Sequence, residues 1–404
     1  MHLSTKVEKA IENGYLIPHR KQSLHGIVQF LSSSFEYDAE NAVLFYDSSS
    51  SKTTIKVIDL CVELSAHGIE VNEDFLGKAC HSMRVAKLST LEFLISNLPE
   101  HDGGDHIQAL AKYFKTESPL QLEVFLKNWL TNAVGMILEP DNISAVNRLV
   151  VCLQSENQRV GKTSFIRWLT TPFKTKYSSA TVERDTPSND KDAKIELTNN
   201  LIIVLDDIDN WSSSSIEKLK SLISSKEIKV RLPYDKTSTF APRRASYFAT
   251  TNQSGFLNES GNTRWVIFSV DEIDWEGYTK NIDATQIWAQ AKSYWTSNST
   301  HKTLSKDHVK FCMDSSLKYQ IETEYDEMLL QYVGFLEEGQ LTPTMIYEAM
   351  SETHRRLLGA SNAALGKIGK TLKRHYGDKV ARKVNGKRLY RLRLVKAERD
   401  IPFN

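Results

Sequence analysis

Apolar residues in this chain follow two rhythms, and the change from one to the other marks its organisation. Between Leu88 and Leu138, "LSTLEFLISNL" and "LQLEVFLKNWLTNAVGMIL" place apolar positions at i, i+3, i+4 and i+7. That spacing predicts helices, separated by the polar loop "PEHDGGDH". "RLVVCLQS" is instead a short continuous apolar run, the mark of a strand buried on both faces of a parallel sheet. "LIIVLDDID" repeats the mark, and "SYFATTN" supplies a third core strand. Among them, "KTSFIRWLTTP" reads as a helix stopped by Pro172. "WSSSSIEKLKSLI" reads as a serine-capped helix with Ile216, Leu219, Leu222 and Ile223 on one face. The polar "SSATVERDTPSNDKDAKIELTNN" reads as a loop and "EIKVRLPYDKTSTFAPRR" as a hairpin. Strands alternating with helices predict an α/β nucleotide-binding core, a parallel sheet flanked by helices, over residues 148–297.

The flanks have other patterns. Residues 1–87 join a strand-like "NAVLFYD" to a helical "TIKVIDLCVELSAHGI", which predicts an α-rich N-terminal accessory domain. Residues 88–147 form a helical collar leading into the core. "TQIWAQAKSYW" and "LLQYVGFLEEG" are helical, and 298–337 reads as a lid or linker. Beyond 338, a helix starts at Thr342-Pro343, two more follow in "SETHRRLLG" and "SNAALGKIGKTLKRHYG", and two strands flank Asn385-Gly386. Three helices and a hairpin predict a winged helix over 338–404. There is no internal repeat.

Composition narrows the partners. The chain has 404 residues, 40% of them hydrophobic and 25% charged, with a formal net charge of +1. No polyanion partner follows from the whole-chain charge. The four cysteines form no C-x-x-C, which supports neither a disulfide scaffold nor a zinc site. The N-terminus lacks an apolar core of signal-peptide type and no apolar run reaches membrane length, so a cytoplasmic protein is expected. The charge is nonetheless uneven. From Ser351 to Lys396 there are fourteen basic residues against two acidic ones, a net of +12, leaving 1 − 12 = −11 for the rest. On the last helix Leu365, Ile368 and Leu372 face inward, leaving Lys367, Lys370, Lys373 and Arg374 outward. Lys387 and Arg388 lie in the hairpin. Such a helix and wing suit DNA phosphates, with a merely solvated basic face as the alternative.

Candidate chemistry centres on "SENQRVGKTSF", which carries the Gly-Lys-Thr end of a phosphate loop with Glu156 at the position of the first glycine. Between a buried strand and a helix, the amides of Asn157, Gln158, Arg159, Val160, Gly161, Lys162, Thr163 and Ser164 would converge on a phosphate. Lys162 would reach the β and γ phosphates of ATP, and Thr163 would ligate Mg²⁺. Asp206 at the tip of the second strand would hold Mg²⁺ through water, and Asp207 would orient the attacking water. Asn252 could hydrogen-bond that water or the γ-phosphate, and Arg264 could stabilise transition-state charge in a neighbouring subunit. Polar turns, a strand end and a surface salt bridge are the plainer alternatives for each taken singly.

Taken in order, these segments resemble the ATPase domain of the virulence-associated protein E (VapE/VirE) family, grouped with superfamily 3-like AAA+ replicative helicases of bacterial mobile elements and prophages. The resemblance runs over roughly residues 80–300, from "LSTLEFLISNLPEHDGGDHIQALAKYF" through "LDDIDNW" and "SYFATTNQSG" to "TQIWAQAKSYW". It departs at Glu156, at His101 where the family has tryptophan, and at Asp207 where glutamate is common. The resemblance implies Gly161, Lys162 and Thr163 at the triphosphate, Asp206 and Asp207 as the acidic pair, Asn252 as sensor and Arg264 as an arginine finger in trans. It further implies a hexameric ring whose hairpin, carrying Lys229, Arg231 and Lys236, tracks single-stranded DNA. The expected function is an ATP- and Mg²⁺-dependent DNA helicase. Two alternatives stay open: an ATP-switched DNA-binding initiator with little unwinding, and a protein-remodelling ATPase. No primase signature occurs in the first 80 residues, so priming would need a separate protein.

Overall fold

The computed structural model describes residues 2–48, 52–175, 180–184, 191–206, 208, 213–232, 237–253, 255–257, 263–319, 324–336, 338–359, 361–376, 381–384 and 387–395. The chain divides into two compact units, Met1–Thr251 with Phe268–Leu304, and Asn252–Ile267 with Ser305–Asn404.

The first unit begins with α1 (Leu3–Glu12), α2 (Leu24–Ser34), β1 (Glu36–Asp38), β2 (Val43–Asp47), β3 (Lys52–Lys56), α3 (Val57–Ala66), α4 (Glu73–Cys80) and β4 (Ala86–Lys87). The strands form a sheet in the order β3-β2-β1-β4. Ser23 caps α2 and Asn72 caps α4, each side chain accepting from a first-turn amide. Ile27, Phe30 and Leu31 of α2 pack with Leu60, Leu64 and Leu76 in one apolar cluster. The helix expected across "TIKVIDLCVELSAHGI" starts only at Val57. The β-branched Thr53, Thr54 and Ile55 instead pair with β2, with Ile55 opposite Leu44.

Next come α5 (Thr90–Ser96), α6 (His106–Ala111), β5 (Phe114–Thr116) and α7 (Pro119–Leu138). Every residue of α7 from Phe125 to Ile137 is buried. Trp129 donates its indole N–H to the Tyr247 carbonyl at 3.0 Å. Gly135 lacks the Cβ that would collide with the Trp295 ring, so two helices can close on each other there.

The core of the unit follows as β6 (Val150–Gln154), α8 (Lys162–Leu169), β7 (Thr181–Arg184), α9 (Lys191–Asn199), β8 (Ile202–Leu205), α10 (Ser213–Ser224), β9 (Glu227–Val230), β10 (Thr239–Pro242), β11 (Ser246–Thr251), β12 (Trp265–Ile273), α11 (Trp275–Asn281) and α12 (Ala284–Thr296). Six strands form one sheet in the order β5-β12-β6-β11-β8-β7. β6, β11, β8 and β7 run parallel, while β5 pairs antiparallel with β12. All residues of β6, β8 and β11 are buried, as their continuous apolar runs require. β9 and β10 form the expected antiparallel hairpin. The polar segment read as a loop instead supplies β7 and α9. β7 is an edge strand with one neighbour, and α9 buries only Ala193, Leu197 and Thr198, so neither carries a strong apolar signature.

Arg243 is the least expected core residue. It is 2% exposed and donates to the carbonyls of Ser225 (2.9 Å), Ile223 (2.9 Å), Asn147 (3.1 Å) and Ala245 (2.5 Å). Burial pulls its pKa down to about 10.

The second unit contains α13 (Lys306–Leu317), α14 (Glu324–Leu330), β13 (Val333–Phe335), α15 (Pro343–Ala349), α16 (Glu352–Leu358), α17 (Ser361–Tyr376), β14 (Ala381–Val384), β15 (Lys387–Tyr390) and β16 (Leu392–Leu394). β14 pairs antiparallel with β15, and β13 with β16. The turn at Asn385-Gly386 lies outside the described residues. Thr342 caps α15, accepting from the Met345 amide at 3.2 Å. Ile346, Leu358, Ala364, Ile368, Leu372, Tyr390 and Leu392 form the core with Leu329, Tyr332 and Val333. Ala364 takes the fully buried place on α17 that was expected of Leu365, which is only partly covered. No described helix in the chain is long and apolar enough to cross a membrane.

One buried carboxyl should make stability depend on pH. Burial, with Asp38 beside it, raises the Glu40 pKa from 4.5 to about 7, against a smaller opposing pull from Arg244. The folded state therefore keeps a proton that the unfolded chain releases between these values. Stability from this group is greatest below pH 4.5 and is lost as pH rises through 7. Thermal unfolding of Glu40→Gln and parent should show their difference moving in the variant's favour from about pH 5 to about pH 8. A constant difference would contradict the shift.

Candidate functional site

The site grows from the exit ends of the parallel strands. β6 ends at Gln154, opposite Thr251 of β11, and the Ser155 amide donates to the Thr251 carbonyl at 3.1 Å. The chain then bends through residues 156–160 and enters α8. Gly161 is the residue before the helix, with φ 93° and ψ 14°, a left-handed geometry that favours glycine. Arg159 is left-handed too, with φ 62°. Phe165, Ile166 and Leu169 are buried and seat α8. Lys162 is thereby buried, Thr163 half-buried and Ser164 exposed in the first turn, whose amides have no acceptor within the helix. Glu156, Asn157, Gln158 and Arg159 are exposed and Val160 is half-buried.

β8 ends one residue before Asp206. One oxygen of that carboxylate accepts from the Thr163 hydroxyl at 2.9 Å and from the Thr250 hydroxyl at 2.5 Å. Thr250 lies on β11, between β6 and β8, so three elements meet on one oxygen. The Asp206 amide donates to the Arg184 carbonyl at 3.1 Å, tying the acid to β7. Arg167, one turn after Thr163, makes a two-point contact with Glu183 at 2.5 and 2.6 Å. That contact raises the Arg167 pKa, and the Asp206 charge adds a smaller pull. A carboxylate and a hydroxyl at this spacing, with one side toward solvent, can share a hydrated divalent cation. Thr250 was missed from the sequence. Its signal was the alternation along β11, which sets Thr250 and Asn252 at the same parity.

The remaining candidates lie on other segments. Asn252 follows β11 and Arg264 precedes β12, both half-buried and both in the second unit. Asp207 and Lys236 lie outside the described residues, as do the side chains of Arg374 and Lys387. Lys229 and Arg231 are exposed, with Lys229 across the hairpin from the exposed Phe240. Lys370 is exposed, while Lys373 and Arg388 are half-buried. Lys367 does not stand outward as expected. Its ammonium donates to the Leu358 carbonyl at 3.0 Å, at the end of α16, and lies 4.4 Å from the centre of the Tyr325 ring.

Fold and site define a mixed α/β protein with a hydroxyl–carboxylate centre at the strand exits. A family model for the virulence-associated protein E-like domain matches residues 95–320, and the chain belongs to that family. No curated protein matches it. Among solved structures, the apo structure of the NrS-1 C terminal region is similar at 10% identity and a TM-score of 0.47, over 92% of this chain and 100% of that one. The A form apo structure of the same region gives 11% and 0.45, over 92% and 99%.

The backbone at Gly161 generates a direct expectation. Gly161→Ala forces an L side chain into the left-handed region and should lower stability by about 1–3 kcal/mol, measured by denaturant unfolding. No measurable loss would mean that the loop does not need this geometry.

Proposed function

We propose that the protein is an ATP- and Mg²⁺-dependent P-loop motor of the AAA+ helicase kind. It acts on DNA during replication of a mobile element or prophage, as a ring of identical chains. The observation that carries this reading is the 2.9 Å contact between the Thr163 hydroxyl and Asp206, immediately after the glycine and lysine that open α8. Ligands of open parallel sheets bind outside the carboxyl ends of the strands, where this contact lies. The position where a Cβ would stand on Gly161 has no atom within 4 Å, which leaves space for a phosphate oxygen. In this reading the amides from Asn157 to Ser164 cradle the phosphates and Lys162 neutralises their charge. Thr163 and Asp206 hold the metal, and Asp207 and Asn252 orient water. Arg264 serves a neighbouring subunit. ATP with Mg²⁺, when bound, supplies a polarised terminal phosphoryl group.

The partner is DNA, contacted by two basic surfaces. The exposed Lys229 and Arg231, with Lys236, would follow a single strand by backbone charge. In the second unit the three helices and the β14–β15 hairpin read as a winged helix, with Lys370, Lys373, Arg374, Lys387 and Arg388 toward a duplex or fork, while Lys367 is held back against Leu358 and Tyr325. A second reading, a DNA-bound initiator switched by ATP, is favoured by the exposed carboxylate of Glu156 at the loop entry, which would repel phosphate. Strand displacement compared with filter binding separates the two.

Two measurements test the proposal. Lys162→Ala should reduce DNA-stimulated ATP hydrolysis by about 100-fold or more, and undiminished turnover would sink the site. Lys370→Glu with Lys373→Glu should weaken duplex binding and flatten its dependence on log salt by about one unit per lost phosphate contact. An unchanged salt slope would remove the second unit from the DNA interface.

A further inference from the structure

The loop between α5 and α6 brings together three ligand-bearing side chains that the motor reading leaves unused. His106 Nε2 lies 2.8 Å from Asp102 Oδ1, and His101 Nε2 lies 4.0 Å from the same oxygen. One ligand atom from each of the three residues falls within 4.8 Å of the other two. Zinc–nitrogen and zinc–oxygen bonds of about 2.0–2.2 Å put the ligand atoms of a tetrahedral site roughly 3.3 Å apart, a spacing that these distances bracket.

The surrounding backbone holds the arrangement open. Gly103 turns the chain at φ 90°. A Cβ on Gly104 would come within 3.0 Å of His106 Nε2 and 3.2 Å of Asp102 Oδ1, so any side chain there would fill the space beside both atoms. The Gly104 amide donates to Asp102 Oδ1 at 2.8 Å, and the Asp102 amide donates to Gln286 Oε1 on α12 at 3.1 Å. Those contacts fix the carboxylate. The two imidazoles are largely covered, at 16% and 20% exposure, whereas Asp102 is 52% exposed and leaves a side open to water. The neighbouring Asp105 is engaged elsewhere, with Lys127 at 2.5 Å and Gln290 at 2.8 Å.

We propose that His101, Asp102 and His106 bind one divalent transition-metal ion of the zinc class and thereby pin this loop against α12. Two imidazoles favour zinc over magnesium or calcium. On binding, each imidazole carries its proton on Nδ1 instead of Nε2, so that His101 Nε2 exchanges its 2.7 Å contact with the Gly104 carbonyl, and His106 Nε2 its 2.8 Å contact with Asp102 Oδ1, for the metal. This site is separate from the phosphate loop and stands or falls independently of it.

The test uses the full chain stripped with a chelator, then titrated with ZnCl₂ by calorimetry and with CoCl₂ by absorption. We expect one zinc per chain, a raised melting temperature, and a cobalt spectrum with visible bands but no thiolate charge transfer. His101→Gln and His106→Gln should each weaken zinc at least tenfold and abolish the thermal shift, while melting like the parent in chelator. Absence of zinc binding, zinc retained by the double variant, or a thiolate band overturns the proposal. If the variants melt low in chelator, hydrogen exchange of the unsubstituted chain decides instead. Zinc should slow exchange at residues 101–106, and unchanged exchange there overturns it.

Discussion

A guanidinium bonded to backbone carbonyls holds the entry side of the central sheet. Arg243 spends its donors on carbonyls from three places: Ile223 and Ser225 at the end of α10, Asn147 ahead of β6, and Ala245 ahead of β11. Asn147 adds hydrogen bonds from its amide to the Trp129 carbonyl and the Ser246 hydroxyl, each at 3.0 Å. Buried polar groups are costly unless satisfied, so this cluster tolerates few arrangements of the chain around it. Val150 of β6 and Tyr247 of β11 are paired just beyond it. A slip of one residue would turn every side chain of a strand to the other face. The register set at the entry therefore determines what meets at the exit, where Thr250 of β11 and Thr163 after β6 share one oxygen of Asp206.

The parts of the fold that could be read from the sequence are those whose burial is symmetrical. β6, β8 and β11 are covered on both faces, so their residues form unbroken apolar runs. α7 was legible for a related reason: twenty residues with apolar positions at helical spacing have few other uses. β5 and β7 were not legible. Each is three or four residues long at a sheet edge, and its identity as a strand comes from its neighbour. Arg243 was hidden inside "APRR", where two arginines at a hairpin end look solvated. Only the tertiary fold supplies the four carbonyls that make one of them a core residue.

Charge patterns were legible in sum but not in detail. The helical period on α17 identifies Ile368 and Leu372 as core, and both are buried. The same period cannot show that a long side chain at its margin turns back, as Lys367 does toward Leu358 and Tyr325. Lysine has an apolar stem that favours such a path along the boundary of a core. Metal-ligating potential was hidden for a different reason. Counting cysteines excludes one class of zinc site, whereas His101, Asp102 and His106 are brought together by a glycine turn and the start of α6.

The loop between β6 and α8 shows how a stretch with glutamate in place of a glycine can keep a glycine-dependent turn. A glycine is required where φ is positive or where another group must come close. Gly161 meets the first condition, at φ 93°, on the threshold of α8. Glu156 does not, because the left-handed residues of this loop are Arg159 and Gly161. Its side chain is exposed. Replacing a first glycine by glutamate therefore leaves the backbone path intact and changes the charge at its mouth. The strain of the turn is carried at Arg159 instead, whose left-handed backbone persists because Ser155 is tied to Thr251 on one side and α8 is seated by Phe165 on the other.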